Sequence, residues 1–151
     1  MMDRIASFSI DHNKLMPGIY ISRIDDDIVT YDIRMRKPNV PPFLTNAAIH
    51  TIEHLFATFA RNSGFKDNII YFGPMGCRTG FYFLVRNMKH ADAIQLIIDI
   101  FKSIADFNGV VPGTTAAECG NYLEHDLGGA REEAKKFLPI ISSWNEEKLK
   151  Y

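Results

Sequence analysis

Apolar and polar positions alternate along the early part of the chain. Within residues 18–24, Ile19 and Ile21 face one way. After the turn Asp25-Asp26-Asp27, residues 28–35 set Val29, Tyr31, Ile33 and Met35 against Ile28, Thr30, Asp32 and Arg34. A period of two with β-branched residues predicts a half-buried strand, hairpin-paired with the one before it. Pro38, Pro41 and Pro42 end it, because proline has no N–H for a ladder. The period then changes. Over residues 45–62, Ile49, Ile52, Leu55, Phe56 and Phe59 recur at three- and four-residue intervals, predicting an amphipathic helix with Gly64 as its C-terminal cap. Residues 68–72 and 80–86 read as two more strands around the loop Gly73-Pro74-Met75-Gly76-Cys77. A second amphipathic helix spans residues 92–107, built on Ile94, Ile97, Ile98, Phe101 and Ile104. A third starts after Asp126 as N-cap, and Pro139 is expected to kink or break it before Trp144. Strand pairs separated by helices predict an α+β sandwich, with helices packed on one face of a mostly antiparallel sheet, in a single domain over residues 1–151.

Composition narrows the function classes. The 151 residues supply one ordinary domain, and 46% hydrophobic with 23% charged residues is globular rather than disordered composition. Seventeen Lys and Arg against eighteen Asp and Glu leave a net charge of -1, little electrostatic reason to bind nucleic acid or an anionic membrane. The pair Lys135-Lys136 is too short for a nucleic-acid patch. No apolar run approaches the roughly 18 residues of a membrane crossing. Charges in MMDRIASFSIDH fall where a secretory signal needs apolar residues, so a cytoplasmic location is expected. In a reducing compartment, Cys77 and Cys119 read as metal ligand, nucleophile or core filler rather than as a staple.

The sharpest local pattern is His50-Thr51-Ile52-Glu53-His54 on the first long helix. Residues four apart share a helix face, so both imidazoles can reach one cation, with Glu53 beside them as acid or base. This H-x-x-E-H order is the inverted zincin motif; the plain alternative is a polar helix face. A catalytic metal usually takes three protein ligands and keeps one open position. Candidates for the third are Cys119, Glu118, His12, His90, Asp126 and His125. Cys119 suits best, because Gly120 leaves the sulfur approachable and a thiolate adds charge; it reads equally well as a buried structural thiol. Cys77 sits in a glycine-flanked loop beside Arg78, a neighbour that favours thiolate. There it serves as base or nucleophile, or simply packs. Ser7, Phe8, Asp11 and His12 can line a pocket, Arg34 can hold a polar ligand from its strand, and the stripe Phe56, Phe59, Phe81 and Phe83 is core.

Taken together, these blocks resemble the S-ribosylhomocysteine lyase family over nearly the full length. The resemblance rests on Ser7-Phe8 and Asp11-His12, Asp32-Ile33-Arg34, His50-Thr51-Ile52-Glu53-His54, the run from Gly73 to Tyr82, and Cys119-Gly120-Asn121. It implies a metal held by His50, His54 and Cys119, generally iron(II), with zinc and cobalt also accepted. It implies Glu53 and Cys77 as the acid/base pair, and Ser7, His12 and Arg34 around the substrate. It further implies a homodimer with sites that draw on both chains, and S-ribosylhomocysteine as substrate, split into homocysteine and the precursor of autoinducer-2. The chain departs at Tyr71, where some relatives carry an acidic residue. Two rival readings use the same helix. One is an inverzincin peptidase with Glu132 or Glu133 as downstream ligand, the other a non-enzymatic protein stabilised by a structural ion.

Overall fold

A computed structural model describes residues 1–151. Strands β1 (Gly18–Asp25) and β2 (Ile28–Arg34) form the expected hairpin. Helix α1 (Asn46–Arg61), strands β3 (Ile69–Pro74) and β4 (Gly80–Arg86), and helices α2 (His90–Asp106) and α3 (Leu127–Ile141) follow. The strands make one sheet in the order β1-β2-β4-β3, every neighbouring pair antiparallel. This is the α+β architecture that the alternating periods predict.

Register aligns one apolar face. Val29 lies opposite Val85, Tyr31 opposite Phe83 and Ile33 opposite Phe81. Against this face pack Ile52, Leu55 and Phe56 of α1 with Ile97, Phe101 and Ile104 of α2, none of them exposed. Phe56 stacks on Phe72 with ring centroids 3.8 Å apart and stands edge-on to Phe83 and Phe101. Burying each such side chain contributes about 1.5–3 kcal/mol, so α1 is held to the sheet by its apolar stripe and its polar face is presented at a fixed angle. Phe59 is only partly buried at the edge of this cluster.

Three expectations need correction. Strand β2 is buried on both faces rather than one: Thr30, Asp32 and Arg34 are 9%, 0% and 2% exposed. Both ends of the chain flank this face: Ile5, Ala6 and Ser7 lie beside Thr30, Ser7 and Phe8 beside Arg34, and the C-terminal segment folds back along β1. Trp144 Nε1 donates to the Ile19 carbonyl at 2.7 Å, and its ring fills the space where any Cβ on Gly18 would sit. Tyr151 then stacks on Tyr20 and donates to Asp32 Oδ2 at 2.6 Å. Second, α3 stops before Trp144 as expected, but not at the proline: Pro139 lies inside the helix, which continues to Ile141. One missing N–H near a C-terminus removes a single helical bond, and the buried pair Phe137 and Ile141 holds the last turn. Third, α1 closes on Asn62, whose N–H reaches the carbonyls of Thr58, Phe59 and Ala60, and Gly64 has no left-handed backbone to contribute.

Candidate metal centre

Helix α1 starts on Thr45, whose hydroxyl accepts the Ala48 N–H at 3.2 Å. With the helix phase set, His50 and His54 stand one turn apart at its rim, ring centroids 4.7 Å apart. Each ring is pinned from behind by a backbone carbonyl. His50 Nδ1 donates to Glu124 O and His54 Nδ1 donates to Pro112 O, both at 2.8 Å. A carbonyl only accepts, so the protons lie on Nδ1 and both Nε2 lone pairs are free to bind a cation. Both face the Cys119 sulfur, at 3.3 Å from His50 and 3.9 Å from His54. The Cys119 N–H is itself tied to Thr115 O at 3.1 Å.

The third arm that the spacing left open is thus brought in by the loop before α3. Four of the other candidates lie elsewhere. His90 pairs with the Tyr31 hydroxyl at 2.6 Å, Asp126 caps α3 through the Gly129 N–H, Glu118 accepts from Thr115 at 2.6 Å, and His12 lies in a different cavity. His125 does join the centre. The donor atoms of His50, His54, Cys119 and His125 all lie within 4.8 Å of one another. Its ring stacks on His50, its Nδ1 lies 3.0 Å from Thr51 Oγ1, and its Nε2 is buried without a partner. Burial, reinforced by His50 and His54, pushes its pKa below the ordinary imidazole value. An unpartnered buried nitrogen beside two free imidazole lone pairs and a thiol fits a divalent cation that favours nitrogen and sulfur ligands.

Glu53 and His54 line a cavity of about 420 Å³ with Tyr71, Phe72, Pro112 and Gly113. Cys77 sits in another, of about 390 Å³, with Ser7, Phe8, His12, Arg34 and Tyr82. The expected site residues therefore assemble as two groups. The loop carrying Cys77 closes the β3–β4 hairpin through Met75 N–H to Gly80 O at 2.9 Å. Its left-handed residue is Arg78 (φ 61°) rather than a flanking glycine. Gly80 serves another purpose: a Cβ there would collide with the Ile33 carbonyl, so its absence lets the hairpin approach β2.

Arg34 is less free than a ligand-holding arginine would be. Its Nη2 donates to Asp32 Oδ2 at 2.6 Å and its Nη1 to Thr79 Oγ1 at 2.8 Å, with Cys77 Sγ at 3.9 Å. Sequence reasoning passed over Thr79 and Thr51, because a lone threonine carries no periodic or motif signal. Neither downstream glutamate of the peptidase reading joins the centre: Glu133 pairs with Arg36, and Glu132 lies beside Lys135.

The S-Ribosylhomocysteinase (LuxS) family model matches residues 5–148. The chain is 49% identical over 156 aligned residues to the S-ribosylhomocysteine lyase of Borreliella afzelii (strain PKo). It is 47% identical over 156 residues to that of Clostridium acetobutylicum, and 45% over 155 to that of Finegoldia magna. Each alignment covers 99% of both chains. Likeness on this scale spans nearly the whole chain, which belongs to the S-ribosylhomocysteinase (LuxS) family.

Proposed function

We infer that the chain is an S-ribosylhomocysteine lyase, converting its substrate to homocysteine and 4,5-dihydroxy-2,3-pentanedione. The observation that carries this reading is the convergence of His50 Nε2, His54 Nε2 and Cys119 Sγ, with Glu53 lining the cavity that His54 borders. The substrate's thioether is at C5 of the ribose, whereas its carbonyl begins at C1. Expelling the sulfur requires an acidic proton on C4, hence a carbonyl on C3. Two enolisations carry the carbonyl from C1 through C2 to C3, each removing a proton from one carbon and returning one to its neighbour. Loss of the C4 proton then forms the C4–C5 double bond, the sulfur leaves with the C5–S electron pair and is protonated, and the resulting enol gains a proton on C5 and loses its hydroxyl proton to give the diketone. Substrate and products contain the same atoms, so no water is consumed.

His50, His54 and Cys119 would hold the divalent ion; we propose iron(II), with zinc or cobalt accepted by the same ligand set. When bound, the ion supplies Lewis acidity to adjoining sugar oxygens, worth several kcal/mol of charge stabilisation. Cys77 Sγ takes and returns the protons on carbon. The Glu53 carboxylate moves protons among the sugar oxygens and to the leaving sulfur. Each positioned acid or base typically contributes about 10²–10⁴ in rate. His12 commits Nδ1 to the Ile10 carbonyl at 2.8 Å and so presents Nε2 to the ligand. Ser7 and Arg34 line the same cavity. Both cysteines are free thiols, which supports a reducing, cytoplasmic setting.

The separation of the two residue groups supports a homodimer in which one chain's metal half faces the thiol half of a second copy. Release of free thiol from S-ribosylhomocysteine by metal-loaded, anaerobically handled protein tests the activity; no thiol above background would refute it. Cys119→Ser is expected to lose the metal, and Cys77→Ala to keep it while losing turnover. Co-expressing the two inactive variants tests the shared site. Random pairing restores about a quarter of parental activity if sites draw on both chains, and none if each chain is self-sufficient.

A further inference from the structure

We propose that Thr79 is a positioning residue whose hydroxyl proton is held on the Cys77 sulfur, keeping that sulfur an anion ready to take a proton from carbon. This rests on the reading of Cys77 as the proton carrier. Thr79 is only 2% exposed, so its hydroxyl must find its partners within the protein. It has two, Arg34 Nη1 at 2.8 Å and Cys77 Sγ at 3.0 Å. A guanidinium only donates, so it occupies a lone pair on Thr79 Oγ1 and leaves the hydroxyl proton to be placed. The sulfur is the remaining acceptor. A neutral thiol pointing its own proton at Oγ1 would strand the threonine proton in a buried site; a sulfur that accepts it does so weakly as a thiol and strongly as a thiolate, so the bond favours the anion. The displaced thiol proton goes to solvent, since Cys77 itself is exposed.

The donor is held in place from both sides. Asp32 Oδ2 grips Arg34 Nη2 at 2.6 Å and accepts Tyr151 OH at 2.6 Å, which turns Nη1 toward Thr79. The Thr79 carbonyl accepts the N–H groups of both Met35 and Arg36 at 2.9 Å, tying the loop to the end of β2 independently of the side chain. Other groups around the sulfur are Arg34 at 3.9 Å, Arg78 next in the chain, and His12 and Tyr82 in the same cavity. Of these only Arg34 touches the Thr79 hydroxyl, and its release onto the sulfur would move the cysteine's reactivity in the opposite direction, so the two effects can be told apart.

The test is the rate of alkylation of Cys77 by iodoacetamide as a function of pH, in metal-loaded protein, with peptide mass spectrometry separating Cys77 from Cys119. Thr79→Val keeps the shape and removes the proton. Its rate–pH curve is expected to shift alkaline by about one pH unit, with about tenfold slower alkylation at neutral pH. Thr79→Ser is expected to bring the curve back to within about twofold of the parent. Should the valine variant fail to fold, Thr79→Ala removes the same donor without the branched bulk. A curve that stays in place, or moves to lower pH because Arg34 swings onto the sulfur, overturns the proposal. In the lyase assay, Thr79→Val lowers kcat while leaving KM unchanged. An alkaline shift with unchanged kcat would uphold the hydrogen bond and refute Cys77 as the proton carrier.

Discussion

Replacing Gly113 by alanine separates two effects that the structure places at one position. Gly113 has φ +72°, in the left-handed region where an L side chain costs about 1–2 kcal/mol. The lost flexibility of the unfolded chain offsets about 0.4–1 kcal/mol of this. A net loss of about 1 kcal/mol lowers Tm by about 2–4 °C for a domain of this size. The second effect is local to the centre. The new Cβ would stand 3.2 Å from His54 Nδ1 and 3.4 Å from its Cε1, so the ring must give by a few tenths of an ångström. That nitrogen makes the 2.8 Å bond to Pro112 O that orients the imidazole. Disturbing such an orienting bond typically weakens metal binding by about 10–100-fold. Competition of apo-protein with a chromophoric chelator for zinc reads the affinity, and calorimetry of the same sample reads Tm. Gly64→Ala is the control, since nothing lies within 4 Å of its Cβ and its backbone is not left-handed. Parental zinc affinity in Gly113→Ala would refute the argument that His54 is oriented through this contact.

Other expectations follow from the same geometry. Saturating the apo-protein with zinc at about a hundredfold over Kd adds about 2.7 kcal/mol of stability, a rise of several degrees in Tm that Cys119→Ser abolishes. An equal rise in that variant would remove Cys119 from the ligand set. Burial, aided by the nearby Glu146 charge, raises the Tyr31 pKa above its ordinary value of 10. Its contribution to stability is therefore complete below about pH 10, and is lost above it as the unfolded phenol ionises first, at up to about 1.4 kcal/mol per pH unit. Tyr31→Phe should flatten the alkaline fall in urea midpoints between pH 9 and 11, while losing the hydroxyl's bond to His90 at neutral pH; parallel slopes would contradict the sign. Tyr151→Phe removes one hydrogen bond to the buried Asp32, and thermal unfolding should register a loss of about 1 kcal/mol, kept small by the exposure of Tyr151. An unchanged Tm would show that the C-terminal turn is held by stacking alone.

Much of this protein was already determined by its sequence. Short-range periodicity decided where strands and helices form, because side chains two apart share a sheet face and those three or four apart share a helix face. That local rule also placed His50 and His54 on one rim of α1, and near full-length likeness carried the family. Corrections arose where distant parts of the chain meet. Alternation in β2 read as one dry face and one wet one, yet Trp144 and Tyr151 fold back and help to cover the second. No local pattern encodes a cover supplied from more than a hundred residues away. Gly64 and Pro139 carried the usual marks of helix ends, but packing of Phe137 and Ile141 outweighed one lost hydrogen bond. Which residue completes the centre was likewise a tertiary decision: spacing left several candidates, and carbonyls of Glu124 and Pro112 turned both imidazoles toward Cys119. The pairing of Thr79 with Cys77 is of the same kind, since it depends on a buried ion pair fixing Arg34. Periodicity is a property of neighbours along the chain, whereas proton placement and ligand convergence depend on which surfaces the folded core presses together.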